Sequence, residues 1–300
     1  MNVKTNLQEG QVLLLVLLAV SVLATMVLSV TSRSISEVAV TTREEESLRA
    51  FSAAEAGVEE ALITGTLSQV SSGVVPPIER SFQAGSSSLS NFVAEVSRYP
   101  QDLRAFNYPF KLSSGDSGSV YFVTRNEDGG IMPCNPSTSP CFNGNNLNLC
   151  WGDQGSDTAV LVSIIYRNSS GAFGVASVGY DPVSTRRSGG SDPNNFEPAG
   201  AACSVGAGSE SRSYAYRAQV DFNSLGITGQ PILMRVSMLY NTSPQVFGVS
   251  TGSDLPVQGR RVNSQGSAGE ATRRINAYLL NPEVPFIFDA AVYSSGEISK

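Results

Sequence analysis

Four cysteines are the residues whose type and placement most clearly offer chemistry: Cys134, Cys141, Cys150 and Cys203, all in loop-like sequence rich in Pro, Asn and Gly. No C-x-x-C pair occurs, which speaks against a zinc ribbon or a thioredoxin-type site and leaves a four-thiolate metal site as the minor alternative. An even count beyond a membrane-spanning segment reads as two disulfides with three possible connectivities, and sequence proximity favours Cys134 with Cys141 and Cys150 with Cys203. The chain has no histidine. That excludes Ser-His-Asp and Cys-His nucleophile systems, every His-containing metal site and the commonest general base. Asp153 and Asp157 flank Gly155, and Asp116 and Asp128 stand in Gly-rich stretches. The spacing misses the twelve-residue calcium loop, so these carboxylates read as turn residues. No catalytic residue, cofactor or metal is expected, and the chain does not read as an enzyme.

Three arginine pairs, Arg186-Arg187, Arg260-Arg261 and Arg273-Arg274, are the only local basic clusters in a chain of net charge −6. That balance argues against a surface built for nucleic acid, and solvated surface arginines are the simpler reading. Asn168-Ser169-Ser170 and Asn241-Thr242-Ser243 match the glycosylation pattern, a short and weakly specific signal.

The element that must carry this head is an uncharged apolar run from 10 to 32, including Val12-Leu13-Leu14-Leu15-Val16-Leu17-Leu18. As a helix it would be on the order of 35 Å long, enough to cross a hydrocarbon core of about 30 Å. Ser21, Thr25, Ser29 and Thr31 interrupt it, but hydroxyls can return their hydrogen bonds to the preceding turn. Ala19-Val20-Ser21 resembles a signal-peptidase site, yet the run continues apolar well past it, which a cleaved secretory signal does not do. Lys4, Glu9, Arg33 and Arg43 leave orientation weakly set by charge, so the cysteines decide for an extracytoplasmic head.

From 34 to 65 the pattern turns polar without a helix breaker. Phe51, Ala54, Val58, Ala61 and Leu62 recur at helical spacing and predict the face on which the head packs. The helix from 11 to 65 would be on the order of 80 Å long, with about 11–32 embedded in the membrane. Residues 66–118, mixed Ser, Gly and Pro, read as a connector with one or two short elements, including a helical turn near 89–97. A β-rich head from 119 to 300 follows, with strands predicted at 119–124, 158–167, 172–180, 213–222, 232–240, 245–250, 272–280 and 286–293. Asn168-Ser169-Ser170-Gly171 and Asn241-Thr242-Ser243-Pro244 are hairpin-turn candidates, so the sheet should be mainly antiparallel and the fold class α+β.

The apolar helix opening at Gly10-Gln11, then Arg33-Ser34, Glu44-Glu45-Glu46 and the run Ala50-Phe51-Ser52-Ala53-Ala54-Glu55-Ala56-Gly57-Val58-Glu59, resembles the PilX-type minor pilins and the K-type pseudopilins of type II secretion. The segment Ala53-Ala54-Glu55-Ala56-Gly57 is its most specific part, and the resemblance covers about a fifth of the chain. It implies a pilin-like fold with a long helix against a β-sheet. It also implies a leader over 1–10 cleaved after Gly10 by a prepilin peptidase, N-methylation of Gln11, and passage from the membrane into a surface filament. The implied partners are other pilin subunits, the peptidase, an inner-membrane assembly platform and membrane lipid, with no established nucleic acid or small-molecule ligand. Glu9 stands where the family has a basic residue, and Gln11 where it has Phe or Met. Leu15 stands where main pilins place a glutamate that pairs with a neighbour's terminal ammonium in an apolar bundle. A subunit without that carboxylate suits a tip or priming position. The competing expectation is a membrane-anchored surface adhesin or ligand-binding protein, with DNA as a candidate ligand, that is not built into a filament.

Overall fold

Helix α1, Gln8–Thr64, runs for 57 residues without a break. Nothing in its sequence interrupts it, since it holds no proline and Gly57 is its one glycine after Gly10. The hydroxyls inside its apolar half do bond back along the helix, Ser21 Oγ to the Leu18 carbonyl, Thr25 Oγ1 to Val22 and Thr31 Oγ1 to Val27, each at 2.8 Å. This computed structural model describes residues 8–64, 77–84, 88–126, 130–189 and 192–283. The expected strand at 286–293, Asp128 and most of the expected leader lie outside them. The architecture is one long helix with mainly antiparallel sheets, an α+β arrangement.

The chain divides into two units, one of residues 1–59, 78–94 and 264–275, the other of 60–77, 95–263 and 276–300. The first holds α1 and segments of β1 (Ile78–Ala84), β2 (Ser88–Tyr99), β14 (Gly259–Ala268) and β15 (Ala271–Leu280), strands that form one sheet in that order, and α1 meets β2, β14 and β15. Residues expected to hold a helical turn at 89–97 are therefore a strand. Phe92 and Ala94 are buried while Leu89 and Asn91 are exposed, and that period of two is the sheet's signature.

The packed face of α1 is the expected one only in part: Ala54 and Ala61 belong to it and Val58 is half-buried, but Phe51 and Leu62 do not pack. Ala50, Ala53, Ala54, Gly57 and Ala61 are buried, whereas Phe51 keeps 45% of its surface and Leu62 is also exposed. The physical reason is distance: β14 comes so close to the helix that only small residues fit. A methyl group on Gly266 would collide with the Ala50 carbonyl and lie 2.5 Å from the Ala54 nitrogen, and one on Gly57 would lie 2.7 Å from the Phe92 ring. Polar contacts fix the rim of this seam. The Glu270 amide donates to Glu46 Oε2 at 3.2 Å, and the Arg273 guanidinium donates to Ser47 Oγ at 2.6 and 2.9 Å.

In the second unit two sheets enclose one core. One is ordered β11-β5-β13-β3 (Tyr216–Asp221, Asn146–Trp151, Phe247–Ser250, Ala105–Asn107). The other is β4-β12-β6-β7-β8 (Ser117–Tyr121, Gln230–Leu239, Ala159–Arg167, Phe173–Asp181, Glu197–Pro198). Leu147, Leu149, Trp151 and Val249 from the first meet Val120, Val162, Ile164, Met234 and Val236 from the second in a single buried cluster. Alternation along β12 and β6 supplies that inner face, as the pattern of these segments anticipated. The segment expected as one strand at 213–222 breaks in two, with β10 (Arg212–Tyr214) pairing instead with β9 (Cys203–Val205).

Asn168-Ser169-Ser170-Gly171 does close a hairpin between β6 and β7. Asn168 Oδ1 accepts the Ala172 amide at 2.9 Å, and Gly171 takes a φ of 87°. Asn241-Thr242-Ser243-Pro244 does not, because β12 and β13 belong to different sheets. It is a crossover, entered at Tyr240 in the left-handed region (φ 61°) and held by Asn241 Nδ2 donating to the Leu112 and Ser243 carbonyls.

Both disulfides follow sequence proximity, Cys134–Cys141 and Cys150–Cys203, which overturns the four-thiolate metal alternative. The second joins β5 to β9 across the long segment between 184 and 212, which also holds a short helix α2, Ser184–Ser188.

Two expectations follow. Gly266→Val should destabilise the detergent-solubilised full chain by about 3 kcal/mol or more, while Gly252→Val, where an added carbon meets nothing within 4 Å, should leave the thermal midpoint near that of the wild type. Replacing Cys150 and Cys203 by Ser together should cost more than replacing Cys134 and Cys141. Loop closure over a sequence separation of 53 is worth on the order of 4 kcal/mol against roughly 2.5 for a separation of 7. Paired thermal melts of the two double variants would read this order directly.

Candidate functional site: the exposed helix and its seam

The residues singled out for function lie along α1. Gly10 and Gln11 stand in its first turns, and from Val12 onward every large apolar side chain through Val40 is exposed. The most apolar 18-residue stretch has no buried residue, and the helix is long and apolar enough to cross a membrane. Leu15 lies within it.

The motif Ala53-Ala54-Glu55-Ala56-Gly57 is split by the helical period. Ala53, Ala54 and Gly57 face the seam and are buried, Ala56 is half-buried, and Glu55 is exposed to solvent. The small side chains thus set the approach distance of β14, while Glu55 and Glu59 leave an acidic outer face that also shows Leu48 and Phe51. Sequence reasoning missed the partners of this motif, Gly266 and Phe92. The stretch Asn263-Ser264-Gln265-Gly266-Ser267-Ala268 has none of the β-branched or aromatic residues that mark strands, and its one signal was an unexplained glycine flanked by small polar residues.

The arginine pairs do not form basic surfaces. Arg186 donates through Nε and a terminal nitrogen to both oxygens of Asp181, at 2.9 and 2.8 Å, donates to the Asp157 carbonyl, and stacks 4.7 Å from the centre of the Tyr240 ring. Asp181 is completely buried. Burial pushes its carboxyl upward, but hydrogen bonds from Arg186, the Val183 amide and Asn194 outweigh that and hold it below the usual carboxylate range. Arg261 pairs with Glu210 at 2.6 Å, Arg273 holds Ser47, and Arg274 donates to Gln265 Oε1 at 2.7 Å. Asp153 accepts weak ion pairs from Lys111 at 3.6 Å and Arg212 at 3.7 Å, and Asp116 accepts the Ser113 amide of its own turn.

A crevice of about 680 Å³ lies in the second unit between Tyr99, Tyr278, Asn107 and the loop 206–211. Its polar groups are engaged with one another. Asn107 Nδ2 donates to the Glu210 carbonyl at 2.7 Å, Tyr214 donates to Asn107 Oδ1 at 2.7 Å, and Glu210 holds Arg261. Burial pushes the Tyr99 and Tyr214 hydroxyls well above the usual phenol range, so both stay protonated donors.

No family model, curated protein or solved structure matches the chain.

The Asp181 cluster yields a pH test. A carboxyl whose folded value is depressed contributes stability above its unfolded value, near 3.9, and that contribution is lost as pH falls through the folded value. Asp181→Asn should lower stability at neutral pH by about 3 kcal/mol and make the acid limb of the unfolding curve shallower. Denaturant titrations of wild type and variant from neutral pH down to about 2.5 would show the two curves converging at the acid end.

Proposed function

We propose that this chain is a minor subunit, tip-located or priming, of a type IV pilus or pseudopilus-like filament. The observation that carries the reading is α1 itself: a span with no protein partner continues, unbroken, into a stem whose small-residue seam holds the sheet. A plain anchor needs only the span. Continuity through the membrane boundary into a rigid stem supports a role in which the apolar half exchanges lipid for the helices of neighbouring subunits. Hydrophobic transfer between those two environments is nearly neutral, so packing and polar contacts then decide which neighbours are accepted.

In this reading a prepilin peptidase cuts after Gly10, Gln11 becomes the methylated N-terminus, and the disulfide-stapled head stays outside the cytoplasm. Leu15 deprives the subunit of a carboxylate that would meet a neighbour's ammonium inside an apolar bundle, where an unmatched charge is costly. This favours a position used once per filament over the main repeat. The partners are other pilin subunits and the membrane assembly machinery.

Mass analysis of the N-terminus of the membrane-extracted protein tests the proposal. A start at methylated Gln11 is expected, together with loss or shortening of surface filaments on deletion of the gene. An intact Met1 in a strain whose filaments are unaffected by the deletion would replace this reading with that of a membrane-anchored binding protein.

A further inference from the structure

The five-stranded sheet has one edge that the protein closes and one that it leaves open. At the β4 edge Gln258 acts as a substitute strand: its Oε1 accepts the Tyr121 amide at 2.7 Å and its Nε2 donates to the Tyr121 carbonyl at 2.9 Å. Glu283 accepts the next outward amide, that of Ser119, at 3.2 Å. At the other edge β8 pairs only with Tyr180 and Asp181, and the Phe196 ring covers Gly179.

Register fixes which groups remain. The Asn168 amide donates to the Ala172 carbonyl, so with β6 and β7 paired Tyr166 to Gly174, Ile164 to Ala176 and Val162 to Val178, the even-numbered residues of β7 spend their backbone groups on β6. The N–H and C=O of Phe173, Val175 and Ser177 point away from β6 and meet no partner among the described residues. The side chains around them are apolar and exposed, Phe173 by 66% and Val175 by 67%. No charged residue or proline occurs from Ser169 to Tyr180, so the usual devices that discourage edge pairing are missing here.

We propose that this edge is a self-association site, where β7 of one molecule pairs antiparallel with β7 of a second copy about a two-fold axis through Val175. The free segment, bounded by the hairpin at Gly171 and by Phe196 over Gly179, is centred on Val175, so this register leaves none of its outward groups unsatisfied. Val175 then faces Val175, and Phe173 faces Ser177 of the partner copy. The strand is uncharged, so the symmetric pairing brings no like charges together. A second copy brings the same uncharged strand with its own exposed Phe173 and Val175 on the matching face, so both apolar patches are covered in one pairing. The site involves the head alone and does not depend on what the helix does.

Cysteine cross-linking of the full chain in lipid vesicles tests register as well as contact. Directly opposed residues of a hydrogen-bonded antiparallel pair have Cα atoms about 5.5 Å apart, within disulfide reach, while residues offset by several positions are beyond it. Mild oxidation of Val175→Cys should give a reducible dimer at least about tenfold more abundant than Ser177→Cys or Phe173→Cys. The double variant Phe173→Cys/Ser177→Cys should cross-link again, and adding Val175→Lys to it should remove that product. Equal yields at all three single positions would overturn the proposal, as would absence of a dimer with both Val175→Cys and the double variant while thermal melts match the wild type.

Discussion

A strand can lie against the backbone of a helix only where neither presents a side chain at the crossing. That constraint sets the first unit. At the crossing of β14 and α1 the helix offers Ala50, Ala53, Ala54 and Gly57, and the strand offers Gly266, so main chain approaches main chain. Larger residues on both elements turn outward as a result, which is why Phe51 and Leu48 stand exposed beside a closely packed seam. Burial here yields modest hydrophobic gain per residue, since alanine and glycine have little apolar surface to hide. Shape fit and the rim contacts of Glu46 and Ser47 carry the specificity instead.

The second unit follows the opposite logic. Its core is built from large side chains, with Trp151, Phe106, Phe122, Phe142 and Phe247 fully buried, and its loops are restrained by covalent links. Trp151 Nε1 donates to the Thr158 carbonyl at 2.8 Å, so the polar atom of the largest buried ring finds a partner. The Asp181 cluster repeats the principle with charge: a carboxylate without solvent access is tolerable because Arg186, Asn194 and a backbone amide surround it.

Much of this was legible in the sequence, and what was missed has a physical cause. The helix was readable from the absence of breakers, and β6, β7 and β12 from their alternation, because those signals are local. The hydrophobic face of the stem was placed correctly at Ala54 and Ala61 but not at Phe51 and Leu62, because periodicity weighs large residues most, whereas the seam selects for small ones. β14 was missed because Asn, Gln, Ser and Gly do not advertise strands, and β2 was read as a helical turn although Phe92, Val93, Val96 and Tyr99 stand in it. Their pairing is imposed by neighbours far away in sequence. Arg273 and Arg274 are surface charges as expected, whereas the partners of Arg186 and Arg261 were not readable because adjacency in sequence says nothing about Asp181 or Glu210 arriving to meet them. The candidate N-terminal site, Gly10 and Gln11, rests on the helix pattern and resemblance alone.

Gln258 has a consequence for how far these sheets can extend. With its amide occupying the β4 edge as a peptide group would, the five-stranded sheet keeps only its β7 edge for strand addition. Two open edges would permit an unlimited cross-β ribbon. One permits a closed pair through this sheet, so a single buried glutamine side chain limits how far it can extend.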